Sequence, residues 1–255
     1  MSTQSGESYS PQKLARMVGL LNLFGILAGG FELGYVRSAL IVSGNPAATV
    51  ANILGRETLF RIGLAGHLLL VLANIPAEIV GFFLFRRVNV VIAAISMACG
   101  LVGCAIEGLD LLNAVVPLKL AAESGALSAF TREQLTALSY TAIRLEDAGL
   151  LISFIFYGLD EFLSGYIIFR SRFMPRLIGI LLSIAGLCYF TQGLTSFLAP
   201  ALYSRLNPYI LFPCLPGEAS TALWLAIVGV NVAKWRAWQT GSSDGVDERM
   251  QPPSS

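Results

Sequence analysis

Six stretches of this chain are apolar for about twenty residues or more, the length an α-helix needs to cross the roughly 30 Å hydrocarbon layer of a bilayer. They fall at about residues 14–36, 59–85, 89–116, 136–169, 176–199 and 208–234. Inside hydrocarbon every backbone N–H and C=O must be satisfied within the protein, which makes the helix the solution for runs of this length. The fold class is therefore all-α, a polytopic membrane helix bundle of six transmembrane helices. Between the first two spans, Ser43 or Asn45 stands just ahead of Pro46. That is a helix start signal, because proline fits the first helical turn, and a short interfacial helix is expected there.

The composition agrees. Charged residues are 13% of the chain and the mean hydropathy is +0.69, against roughly 25% charged residues in soluble domains. A net charge of +1 gives no electrostatic basis for binding nucleic acid. The four cysteines are scattered with no CxxC pair, and read as packed thiols. Three regions follow: a disordered N-terminal tail at 1–12, a six-helix transmembrane domain at 13–238 and a disordered C-terminal tail at 239–255. The first span runs past Gly34 and Tyr35 without an AxA site, so it reads as retained, not as a cleaved signal sequence. Pro175 opens the fifth span, whereas Pro213 and Pro216 interrupt the sixth. The continuous part of the sixth is expected to start near Pro216, with an irregular piece before it.

Basic residues set the expected orientation. Lys13, Arg16, Arg86, Arg87, Arg170, Arg172, Arg176, Lys234 and Arg236 fall on one side. A smaller and looser set, Arg37, Arg56, Arg61, Lys119, Arg132 and Arg205, falls on the other. Both termini are expected in the cytoplasm of a cell-membrane, multi-pass protein.

Charged residues inside the spans carry the functional signal, because ionisable groups in hydrocarbon are costly and mark function by default. At about 1.5 Å per residue, depth can be counted from the cytoplasmic arginines. Glu32, His67, Glu107 and Glu218 then lie about 24–30 Å from that end, in an outer polar layer with Asp110. Glu78 and Asp160 lie at about 15 Å, in an inner one. His67, Asn74 and Glu78 point within about 20° of one direction, and Glu146 and Asp160 share a face within about 40°. These stripes are expected to meet around a water-accessible cavity with Arg37 or Arg144 at its rim. Asp160 and Glu161 diverge by about 100°, so both are not expected to point into one narrow cavity. Glu78 and Asp160 at similar depth are expected to share a proton or a cation, since adjacent buried carboxylates do not both ionise cheaply.

Three segments carry a resemblance: QKLARMVGLLNLFGILAGGFELGYVRSALIVSGNPAATVANIL, RFMPRLIGILLSIAGLCYF and PGEASTALWLAIVGVNVAKW. With the spacing Glu32 to Arg37, the run Pro175 to Gly179, and Gly217-Glu218 followed by Trp224 and Gly229, they resemble the bacterial family of integral membrane proteins called domain of unknown function 4386. The resemblance covers about Gln12 to Trp235. It implies a six-span membrane protein and supplies no established activity.

The functional expectation is a membrane protein that binds or conducts a small polar solute or cation through an acidic intramembrane cavity. The candidate ligand-binding residues are Glu32, Arg37, His67, Glu107, Asp110 and Glu218, with Glu78 and Asp160 as the inner layer. The alternatives are an intramembrane enzyme acting on a lipid-linked substrate with carboxylates and His67, and an assembly partner in which the polar layer only fixes packing. No GxSxG, HExxH, P-loop or dinucleotide fingerprint stands at a plausible place, so no catalytic residue is assigned and no cofactor is expected. One histidine is poor support for a zinc hydrolase; carboxylates suit Ca²⁺, Mg²⁺ or Mn²⁺ better, and no metal is assigned. The expected partners are the lipid bilayer, a small polar solute or cation, and a second copy of the chain in a homodimer.

Overall fold

The computed structural model describes residues 10–122, 125 and 127–240. Six helices in it are long and apolar enough to cross a membrane, and there is no strand among the described residues. In chain order they are α1 (Pro11–Leu40), α3 (Glu57–Phe85), α4 (Val90–Ala122), α5 (Arg132–Ser171), α6 (Arg176–Leu198) and α8 (Tyr209–Val228). Shorter helices are α2 (Pro46–Gly55), α7 (Pro200–Leu206) and α9 (Val232–Thr240). The expected tails fall mainly on residues 1–9 and 241–255, outside the described residues.

The helix ends follow local chemistry. Asn45 accepts from the N–H of Ala48 and Pro46 takes the first turn of α2; this is the start signal read in the sequence. Asn89 caps α4 through the N–H of Ile92. Thr131 and Gln134 form a reciprocal capping box at the start of α5. Pro175 is the residue before the first turn of α6.

The sixth span departs from the expected 208–234. It begins with a short 3₁₀ turn at Tyr209–Leu211, becomes α-helical at Cys214, widens into a π-turn at Trp224–Val228 and stops. Gly229 then takes φ 75°, a backbone conformation that glycine adopts at little cost, and α9 starts afresh at Val232. The Gln12 side chain holds this break, donating to the carbonyl of Val228 and accepting from the N–H of Val230. Trp235 donates to the carbonyl of Leu84 at 2.9 Å and Trp238 to that of Ser171 at 2.9 Å. Arg87 stacks over the Trp235 ring. The start of α1, the end of α3, the α5–α6 turn and α9 thus close one end of the bundle, around Ala15, Leu84, Phe85, Ile167, Phe173 and Trp235.

Glycine sets how near the helices approach. Gly158 and Gly165 on α5 lie against Gly186 and Gly179 on antiparallel α6, at seven-residue spacing on both. A methyl group at any of the four would run into the facing backbone. This explains why α6 carries no acid: its contact face is given over to backbone packing. Other glycines make room for polar side chains. The Glu78 carboxyl sits over Gly100, the Tyr157 ring over Gly103 and the Asp110 carboxyl over Gly149.

Candidate functional site

Two groups of ionisable side chains lie within the bundle. The first is distal to the end closed by the start of α1 and α9 and is organised by Arg37. In a regular α-helix Glu32 and Arg37, five residues apart, would diverge by about 140°. The backbone from Glu32 to Arg37 is instead a π-turn, whose i→i+5 bonding brings such a pair toward one face. The Arg37 guanidinium forks onto two carboxylates of α5, with Nη1 on Glu146 and Nη2 on Asp147, and stands 3.9 Å from Glu32. Arg144 also reaches Asp147, at 2.8 Å. Arg37, expected at a cavity rim, turns inward to meet Glu146, which is 4% exposed.

His67 joins this group to the second. Its Nε2 is 2.9 Å from Glu107, and the other oxygen of Glu107 accepts from the Tyr157 hydroxyl at 2.6 Å. The opposite ring nitrogen, Nδ1, faces Glu32 Oε2 at 3.7 Å. Asp110 is at the edge of the group, bonded to Asn113 at 2.8 Å. Glu32, Arg37, His67 and Glu107 therefore come together, with Asp110 close by and Glu146, Asp147 and Tyr157 added.

The second group lines a cavity of about 440 Å³, within the range of small-molecule sites. Five acids border it: Glu78, Glu107, Asp160, Glu161 and Glu218. Among the described residues no lysine, arginine or histidine does. The carboxyl groups of Glu78, on α3, and Asp160, on α5, are neighbours at the cavity wall. Asp160 also accepts from the Ser96 hydroxyl, itself 2.8 Å from that of Ser164. Glu161 and Glu218 are a second neighbouring pair of carboxyl groups, and Tyr189 borders the same cavity. Adjacent buried carboxyl groups do not both ionise cheaply.

Two expectations are corrected here. Glu218 does not join Glu32 and His67; it pairs with Glu161 beside the inner carboxyls. Its depth was counted along an unbroken helix to Lys234. The break at Gly229 leaves only ten residues from Glu218 to the end of the span at Val228, about 15 Å, the same depth as Asp160. Asp160 and Glu161 both border the cavity. They do diverge, one toward α3 and the other toward α8, but the space is broad enough to take both. Tyr157 and Tyr189 are members that sequence reading missed; each stands in an apolar run with only its hydroxyl to distinguish it from phenylalanine.

The fold and these groups define a six-span membrane protein with an acidic interior. The sequence pattern of a family described as domain of unknown function (DUF4386) matches residues 17–229, and the chain belongs to that family. An uncharacterized protein of the archaeon Archaeoglobus fulgidus is 33% identical over 78 residues, 31% of this chain and 44% of the relative. The match thus spans less than half the relative's length, and it places a relative outside the bacteria. No solved structure matches the chain.

Proposed function

We propose that this protein binds a small organic cation, of the protonated amine or quaternary ammonium class, in the acidic cavity. The observation that carries this reading is the charge of the lining: five carboxyl groups and no basic side chain around one space. Phe82, Phe85, Phe154 and Tyr189 add aromatic surface to the same wall, which suits a cation carrying hydrocarbon, through cation–π attraction and apolar burial. An anion would meet uncompensated negative charge. The cation takes the place of one proton shared by Glu78 and Asp160.

A thermal-shift series on the purified protein tests this. Quaternary ammonium ions of increasing size are expected to raise the melting temperature, one of them by an amount equivalent to about 2.7 kcal/mol at a hundredfold excess over its Kd. Carboxylates and sugars of equal size are expected to leave it unchanged. Equal shifts for cations and anions, or none for any cation, would defeat the proposal.

The orientation belongs to the same reading. The end that gathers the start of α1 and α9 also carries Arg86, Arg87, Arg170, Arg172 and Arg176, which the positive-inside rule assigns to the cytoplasm. A reporter active only outside the cytoplasm, fused after residue 240, is expected to be silent. Full activity from that fusion would invert the topology.

A further inference from the structure

We infer that the distal cluster is a binding site for one divalent transition-metal ion, held by Glu32, Nδ1 of His67 and Glu146. One ligand atom from each of these residues lies within 4.8 Å of the others. All three residues are buried, at 6%, 6% and 4% exposure.

The state of each ligand points the same way. Glu32 Oε2 is buried and receives no hydrogen bond. An oxygen in that condition costs free energy unless something positive answers it. Its neighbour is His67 Nδ1, at 3.7 Å, too far for a hydrogen bond. The other imidazole nitrogen is already committed, because Nε2 lies 2.9 Å from Glu107. A neutral imidazole that donates from Nε2 to a carboxylate presents its lone pair at Nδ1. Carboxylate, imidazole and metal in that order is the usual arrangement around a metal-bound histidine. Tyr157, donating to the second oxygen of Glu107 at 2.6 Å, fixes the carboxylate in turn. The π-turn that starts at Glu32 is of the kind frequent at functional sites.

Charge leaves room for a divalent ion. Glu32, Glu146 and Asp147 face Arg37 and Arg144, and Glu107 faces His67. With His67 neutral, four carboxylates against two guanidinium groups leave two negative charges uncompensated. Arg37 does not close the site, since its short contacts are to one oxygen of Glu146 and to Asp147. A carboxylate oxygen of Glu146 is one of the three ligand atoms within 4.8 Å of one another. Tetrahedral bonds of about 2.1 Å put ligand atoms about 3.4 Å apart, so side-chain torsions must draw the present spacing in by about an ångström. One imidazole with two carboxylates suits Mn²⁺, Fe²⁺, Co²⁺ or Zn²⁺ better than Ca²⁺ or Mg²⁺.

The test is Co²⁺ binding to the full chain in detergent after chelator treatment, read by visible absorption and by metal analysis after dialysis. One Co²⁺ per chain is expected, with a visible band. Affinity is expected to fall by about 10–100-fold in Tyr157→Phe, which alters only the support of the histidine. It is expected to fall further in Glu32→Gln, and to be unchanged in Glu78→Gln, which leaves this site intact. Wild-type protein that takes up no Co²⁺ at millimolar concentration overturns the inference whether or not the variants fold. So does Co²⁺ binding that survives Glu32→Gln or is lost in Glu78→Gln. None of these outcomes bears on organic-cation binding in the cavity, where the thermal shifts are read separately.

Discussion

Replacing Arg37 with alanine is expected to cost about 3–5 kcal/mol of stability, the usual penalty for stranding the partners of a buried ion pair. Arg37 is 15% exposed at its side chain and Glu146 is 5% exposed, so water does not reach in to compensate. Its loss leaves Glu146 without its cation and Asp147 with only the exposed Arg144. Thermal melting in detergent, together with the yield of folded protein, measures the effect. Arg37→Lys is expected to recover part of it, since an ammonium supplies charge but not the planar fork that spans two carboxylates. Arg37→Met combined with Glu146→Gln and Asp147→Asn is expected to recover most of it, because charge and counter-charge leave together. If Arg37→Ala melts with the wild type, the distal cluster is not held by Arg37.

Much of this arrangement was legible in the sequence. The six spans follow from apolar length, and the cap at Asn45 from a side chain able to accept from a free N–H group ahead of Pro46. The stripe of His67, Asn74 and Glu78 turns inward because three polar groups on one face of an apolar helix have nowhere else to go. Other features depend on backbone departures that residue counting does not register. A π-turn realigns Glu32 with Arg37, and a positive φ at Gly229 ends the sixth span early, moving Glu218 from one polar group to the other. Partners across helices were also out of reach. Nothing in the order of residues links Arg37 to Glu146, or Glu161 to Glu218. The glycines carried more than packing: Gly100, Gly103 and Gly149 make space for Glu78, Tyr157 and Asp110, so the small-residue pattern and the acid pattern are two halves of one site.

The second large effect concerns the cavity. Asp160→Asn keeps the volume and the contacts to Ser96 and Ser164 but removes a charge. At an effective dielectric of about 20 a carboxylate about 4 Å from a cation attracts it by about 4 kcal/mol, part of which desolvation offsets, so cation affinity is expected to drop by about 10–100-fold. Glu78→Gln is expected to do the same, and the double variant to lose little more than either one, because the two carboxyls act as a pair. Affinity in the wild type is expected to rise with pH. The bound cation displaces a proton from a carboxyl pair, so protons compete with it and win as pH falls. A permanently charged quaternary ammonium ligand keeps its own ionisation out of the comparison.

The central claim, that the acidic cavity exchanges a carboxyl proton for an organic cation, is tested most directly by proton release. The quaternary ammonium ion that stabilises the protein most is added to detergent-solubilised protein in weak buffer, with a pH indicator present. Release of about one proton per bound cation is predicted, with none in Asp160→Asn at ligand concentrations that saturate the wild type. Binding without proton release, or release that persists undiminished in Asp160→Asn, would contradict the account.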